Sequence, residues 1–261
     1  MIPFTPRLTA VGSGKGGTGK TFVSLSLAES FADRGERVLL CDADMGLANV
    51  PVRLGLAKGG DLPGLIAGRR TLKEAVVRVE EPGGGFDLLS APPGTGRLAD
   101  GGENAAERLL AILLGAGYQR IVIDLAAGVA SGTMTVAAAA DEALAVVTPD
   151  PAAITDAYAF VKLMAKRTGG RMPGIVVNRA ADATEAKRTA ATLAQAARSF
   201  LGGAPEYLGW VPEDARVGKA ARRQKALAVL YPQSAAAAAA AALAGKFAAP
   251  LAPQRSAPSL R

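Results

Sequence analysis

Eight consecutive residues, Gly14-Lys15-Gly16-Gly17-Thr18-Gly19-Lys20-Thr21, carry the densest chemistry in the chain. They match the pattern G-x-x-x-x-G-K-[ST], in which glycines let backbone amides fold around phosphate oxygens and a following helix adds its partial positive charge. Lys20 would neutralise the β- and γ-phosphates of a nucleotide, and Thr21 offers a hydroxyl to Mg²⁺. The competing reading is a glycine-rich turn with an incidental Lys-Thr pair. It is disfavoured because an apolar strand is expected before the loop and a helix after it. Lys15 can be read two ways on the loop alone. It is either a charge that reaches the phosphates of a facing subunit, or a solvent-exposed loop lysine.

Three carboxylates close apolar segments further on. Cys41-Asp42-Ala43-Asp44 ends an expected strand, where an open parallel sheet projects side chains into its ligand crevice. Asp44 would orient or polarise an attacking water, and Asp42 would stabilise the hydration shell of Mg²⁺. Against this stands a pair of helix-capping or turn aspartates. Ile121-Val122-Ile123-Asp124 has the form of a Walker-B strand, with Asp124 binding Mg²⁺ through water. Ala127-Gly128 permits a close backbone approach to a γ-phosphate.

These groups need a scaffold, and the pattern supplies one. Short β-branched runs alternate with longer helical ones, which predicts an α/β fold: a single-domain P-loop NTPase with a mostly parallel twisted sheet flanked by helices. Strands are expected at 8–12, 38–41, 86–90, 121–124, 142–147, 174–178 and 207–211, and helices at 20–34, 105–115, 154–167, 184–200 and 217–227. The nearly pure alanine run Ala235–Ala244 is too short to span a bilayer and is expected as a docked helix. Residues 1–247 are expected to form the domain, and 248–261, with three prolines, a loose tail.

Composition removes other chemistries. The 261 residues include no histidine, which excludes Ser-His-Asp triads and His-containing zinc sites. The single cysteine, Cys41, cannot form an internal disulfide, which suits a reducing cytosol. Met1–Pro6 lacks the form of a secretion signal, so a cytoplasmic protein is expected. The formal charge of +7 favours approach to nucleic acid or anionic lipid, or is simply a solvated surface.

The loop with its extra early lysine resembles the deviant Walker A loop of the MinD/ParA (SIMIBI) ATPases. Three more stretches resemble the flagellar-number regulators of the FlhG/FleN type: Asp42–Val50, Thr148–Pro151 with Ile154–Tyr158, and Leu208–Asp214. The resemblance runs from about Leu8 to Leu243. It implies an ATP-sandwich homodimer with ATP and Mg²⁺ as cofactors. Lys15 would act across the interface, Asp44 would position the hydrolytic water, and Asp42, Asp124 and Thr21 would surround the metal. It places adenine recognition at Asn178 and Arg179, with Pro212, Glu213 and Asp214 closing over the base. It implies a spatial or number regulator of flagella with a flagellar assembly or regulatory protein as partner. A nucleoid-bound ParA-type positioner and a metabolic ligase of the same fold are the alternatives. Nitrogenase-type iron proteins need two cysteines per subunit, which Cys41 alone does not supply.

Several residues depart from that pattern. Phe22 stands where many relatives carry a small polar side chain beside the α-phosphate, so that contact would rest on backbone amides. Residue 126 is Ala, where proline or glycine is usual. About seven residues precede the first expected strand, whereas the flagellar type often carries a longer extension that activates a partner GTPase. Pro250, Pro253 and Pro258 would interrupt the C-terminal membrane helix of many relatives, which leaves membrane association weakly supported. Arg216, Lys219, Arg222, Arg223 and Lys225 fall within ten residues. They are read as a solvated helix face or as a non-specific phosphate-binding surface for DNA.

Overall fold

In the strands, residues of both parities are apolar, so they must be covered on both sides. The computed structural model describes residues 6–44, 49–82, 84–92 and 102–247; the expected tail at 248–261 lies outside them. The strands β1 (Arg7–Gly12), β2 (Val38–Asp42), β3 (Val77–Val79), β4 (Phe86–Leu89), β5 (Arg120–Asp124), β6 (Glu142–Val147), β7 (Gly174–Ala180) and β8 (Tyr207–Pro212) form one sheet in the order β3-β4-β2-β5-β1-β6-β7-β8. Every pairing is parallel except β3 with β4. Leu39, Cys41, Ile121 and Ile123 enter the core on one face, and Val38, Leu40 and Val122 enter the core on the other. From β1 the chain crosses β5 to reach β2, and from β5 it crosses β1 to reach β6. The C-terminal end of β1 therefore lies where the winding reverses, the position at which such sheets bind ligands.

Helix α1 (Lys20–Ala32) starts at the glycine-rich loop and is buried along most of its length, with Phe22, Val23, Leu27 and Phe31 in the core. The alanine run forms α11 (Ala235–Lys246), as expected. It buries Ala236, Ala240, Leu243 and Ala244, and Ser234 caps its N-terminus by accepting from the Ala237 amide. Its far end is fastened by Arg34, which donates to the Ala244 carbonyl at 3.0 Å, and by Arg120, which donates to the Phe247 carbonyl at 3.1 Å. The buried Arg120 guanidinium also lies 4.2 Å from the centre of the Phe31 ring and bonds Glu36 at 3.0 Å. These partners make a fully buried cation tolerable.

The structure differs from the sequence expectations at several elements. The edge strand β3 and the short helices α2 (Val50–Arg53), α3 (Leu62–Ile66) and α4 (Leu72–Ala75) were not expected. None exceeds five residues, too few for periodicity to register. The sequence reading also omits α6 (Ser131–Ala139), which is apolar on most sides. The helices α5 (Gly102–Leu114) and α8 (Ala183–Leu201) fall near their expected places. Helix α7 (Pro151–Thr168) begins three residues before its expected start, because Asp150 caps it and Pro151 occupies its first position. The helix expected at 217–227 is two pieces, α9 (Ala215–Arg222) and α10 (Leu227–Leu230), separated where Gln224 takes a φ of 53°. Arg223 and Lys225 therefore lie past the end of α9 rather than on its face.

One buried group in this packing titrates. Glu29 of α1 is 8% exposed and its Oε1 has no hydrogen-bond partner among the described residues. Burial, then the Glu81 and Asp33 carboxylates, pushes its pKa from 4.5 up to about 8. The folded state thus keeps a proton that the unfolded state loses above 4.5, so stability falls as pH rises towards 8 and the full penalty remains above it. Glu29→Gln removes that titration. Thermal denaturation of the two proteins should give similar midpoints at pH 5. At pH 8.5 the variant should gain over the native protein, by on the order of a few kcal/mol at most. An equal difference at both pH values would contradict the assignment.

Candidate functional site

Parallel strands β1 and β5 deliver their C-terminal ends side by side, with Val11 opposite Asp124, and β2 places Asp42 opposite Asp124 from the other side. The loop Gly14–Gly19 leaves β1 at this point and returns into α1. Gly14 has no room for a side chain, since a Cβ there would lie 2.0 Å from the Asp156 carbonyl oxygen on α7. Gly19 has a φ of 88° and immediately precedes α1. The loop backbone is therefore shaped by its glycines, and α1 begins directly at the loop's end, the placement of a helix N-terminus that an anion site uses.

Lys20 is buried and its Nζ donates to Asp124 Oδ1 at 2.8 Å; the side chains are only 7% and 1% exposed. Ser24, one turn further along α1, donates to the same oxygen at 3.0 Å. Asp124 Oδ2 is buried with no hydrogen-bond partner among the described residues. Beside it, Asp42 accepts from the amides of Asp44 at 3.2 Å, Asn49 at 3.1 Å and Val50 at 3.2 Å. It therefore caps α2, as the competing reading had it, while also standing at the site. Burial first, then the neighbouring Asp124, raises the Asp42 pKa, with the backbone donors and Lys20 opposing. An open buried carboxylate oxygen, a second carboxylate and the Thr21 hydroxyl at the start of α1 are the hard oxygen donors that fit Mg²⁺ held together with phosphate and water.

Lys15 lies in different surroundings. Its Nζ is 3.2 Å from Asp150 Oδ2, and the two side chains are 43% and 50% exposed. Lys15, Gly16, Gly17 and Thr18 line an open cavity of about 340 Å³ together with Thr148, Pro149, Asp150 and Arg179. A larger cavity of about 500 Å³ beside α2 is lined by Pro51, Val52, Leu56 and Val77 and also by Lys58, Asp61, Arg70 and Glu74; it lies away from the glycine-rich loop.

The remaining expected residues separate into groups. The Gly128 amide donates to the Ser13 carbonyl at 2.9 Å, which holds its loop against the phosphate loop. Phe22 turns its side chain into the core, leaving only backbone to the cleft. Asn178 is buried and donates to the Thr18 carbonyl at 2.7 Å. Arg179 sits on the rim, bonded to Glu213 at 2.7 Å, and Pro212 ends β8 opposite Ala180. Asp214 caps α9 through the Arg216 amide and accepts from Ser234 at 2.7 Å, so both its oxygens are engaged in structure. Arg216, Lys219, Arg222, Arg223 and Lys225 are all exposed. Sequence reasoning did not single out Ser24 or Asp150 as site residues. Ser24 lies four positions after Lys20, the spacing of one helical face, and the Asp150-Pro151 pair is a helix-start signature.

The sequence matches the family described as "CobQ/CobB/MinD/ParA nucleotide binding domain" over residues 9–227. It is 36% identical over 230 residues to the antiactivator FleN of Pseudomonas aeruginosa, covering 87% of this chain and 81% of that protein. It is 30% identical over 231 residues to the flagellum site-determining protein YlxH of Helicobacter pylori, covering 87% and 76%. Among solved structures, the MinC:MinD cell division protein complex of Aquifex aeolicus aligns with a TM-score of 0.72 at 25% identity, covering 98% of both chains.

The two ends of the loop should respond differently to a methyl group. Gly14→Ala drives a Cβ into the α7 backbone, whereas Gly16 has nothing within 4 Å. Nucleotide-free Gly14→Ala should lose about 1–3 kcal/mol, as overpacking against rigid backbone does, and its melting temperature should drop by several degrees. Gly16→Ala should melt with the native protein in the same assay.

Proposed function

Since this chain belongs to the CobQ/CobB/MinD/ParA nucleotide-binding family, we propose that it is an ATP- and Mg²⁺-dependent switch: it dimerises on ATP, hydrolyses it slowly and controls the placement or number of flagella. The observation that carries this reading is the contrast between the two lysines of one loop. Lys20 is buried against its own carboxylate, while Lys15 stands at an open rim, where a second subunit can be met. In this reading Lys15 reaches the triphosphate held by the facing protomer and stabilises charge that develops there. Asp44, just beyond Asp42, places the water. Lys20 moves its charge onto the phosphates, and Thr21, Asp42 and Asp124 hold Mg²⁺, which supplies neutralisation of the β- and γ-oxygens. Asn178, Arg179, Pro212 and Glu213 surround the base.

The flagellar assignment is supported by the similarity to YlxH and FleN. The MinC:MinD complex supports a protein partner, here a flagellar assembly or regulatory protein. No described helix is long and apolar enough to cross a membrane, and the reading places the protein in the cytoplasm. The γ-phosphate then acts as the differential ligand that selects the dimer.

A second reading, a nucleoid-bound positioner, is favoured by the exposed cations of α9 and the turn after it. Retention on DNA that needs ATP and declines steeply with salt would select it over the first, since phosphate contacts release counterions.

Size-exclusion chromatography with Mg-ATP, paired with phosphate release, tests the switch. Asp44→Ala should remain dimeric with ATP while hydrolysing it at least about a hundredfold more slowly, the lower range for a lost acid–base or water-orienting group. Lys15→Ala should remain monomeric. A monomeric Asp44→Ala protein would count against the scheme.

A further inference from the structure

A phosphate loop presents its amides inward, so its carbonyls point away from the ligand and need partners elsewhere. Asn178, at the end of β7, supplies one. Its Nδ2 donates to the Thr18 carbonyl at 2.7 Å, and the side chain is only 4% exposed. The next loop residue is Gly19, where a Cβ would lie 2.0 Å from that same Nδ2. The Asn178 amide therefore fills the space that the missing side chain leaves, and the two residues are sterically complementary.

The strand is shaped to put the amide there. Pairing of β7 with β8 shifts register between Asn178 and Ala180, and Arg179 between them has a φ of 61°. A non-glycine residue in the left-handed region is uncommon and is held by its surroundings. This bulge keeps Asn178 against the loop and sets Arg179 on the rim of the cleft. Asn178 has one amide hydrogen on Thr18. Its second N–H and its Oδ1 have the donor and acceptor pattern that meets adenine at N7 and the N6 amine.

We propose that Asn178 is a positioning residue of the phosphate loop: its amide holds the Thr18 carbonyl out of the cleft and so sets the cradle for the phosphates, whether or not a base is present. This rests on the nucleotide-switch reading and extends it, because one side chain then links base recognition to the geometry of phosphate binding. Loss of the amide affects phosphate affinity and turnover as well as base affinity.

The test uses a ligand without a base. Calorimetric titration with Mg-tripolyphosphate and with Mg-ATP is carried out on the full chain and on Asn178→Asp, which places an oxygen against the Thr18 carbonyl. Asn178→Ala, which only removes the donor, serves as the milder variant. Melting curves establish that each is folded. The expected result is that Asn178→Asp weakens both ligands at least about tenfold, but its charge also repels phosphate, so the deciding variant is Asn178→Ala, which loses the donor alone. Asn178→Ala should weaken both to a smaller extent, and kcat for ATP should fall in both variants, which a base contact alone would not cause. If tripolyphosphate affinity and kcat are unchanged while ATP affinity falls, Asn178 reads only the base and the inference is overturned, with the switch reading intact. A native protein that binds neither ligand would overturn both.

Discussion

The site is organised by the buried pair of Lys20 and Asp124. Taking both charges out of water carries a penalty of several kcal/mol per ion unless the geometry is close and other partners help. Here the distance is 2.8 Å and Ser24 donates to the same oxygen. The pair joins the first turn of α1 to the end of β5, so it fixes how the phosphate loop sits over the sheet. It also leaves each charge with unused capacity. Lys20 has further hydrogens to give, and Asp124 keeps an oxygen without a partner. An anion entering the cradle meets a cation that is already desolvated and aimed, with part of the reorganisation made during folding. That is the condition under which electrostatic binding is strongest.

A second dependence runs outward from Asp42. Its carboxylate accepts from the amides of Asn49 and Val50 at the start of α2 and from Asp44, two residues past the end of its own strand. The helix α2 has four residues and could not persist alone, given the cost of a helical nucleus. The packing of Val50 and the acceptor at Asp42 hold it. Any event that draws Asp42 toward a cation competes with those amides, and α2 is the element that would register the change. Ion chemistry at the strand ends and the position of a surface helix are thus linked through one side chain.

The legible part of the fold was the part repeated in local pattern. The glycine-rich loop, the apolar strands and the long helices each leave a signature within a dozen residues, and these placed Lys20, Asp42 and Asp124 together before any contact was known. Contacts between distant segments left none. Lys15 meets Asp150 across 135 positions, and Asn178 meets Thr18 across 160. Asn178 was legible as a strand-end residue that the family resemblance assigns to adenine, and Asp150 only as part of a resembling stretch; neither contact was. The break after α9 was also hidden, because Gln224 has no intrinsic need for a φ of 53° and is placed there by packing beside Gly55. The structural engagement of Asp214 was hidden for a related reason: an aspartate beside a cleft and an aspartate at a helix start look alike in sequence, and this one bonds the Arg216 amide and the Ser234 hydroxyl.

The same distinction separates the two lysines. An ion pair whose side chains are 43% and 50% exposed has a net strength of about 0–1 kcal/mol, because water competes for both charges. Lys15 can leave Asp150 at little cost, and Asp150 would still cap α7 through the Ala152 amide at 2.9 Å. Lys20 cannot leave Asp124 without another anion in reach, since a bare charge would remain buried on each side. One loop of eight residues therefore holds a cation that stays with its own site and a cation free to change partners. Such a division of labour suits a site whose completion depends on a second molecule.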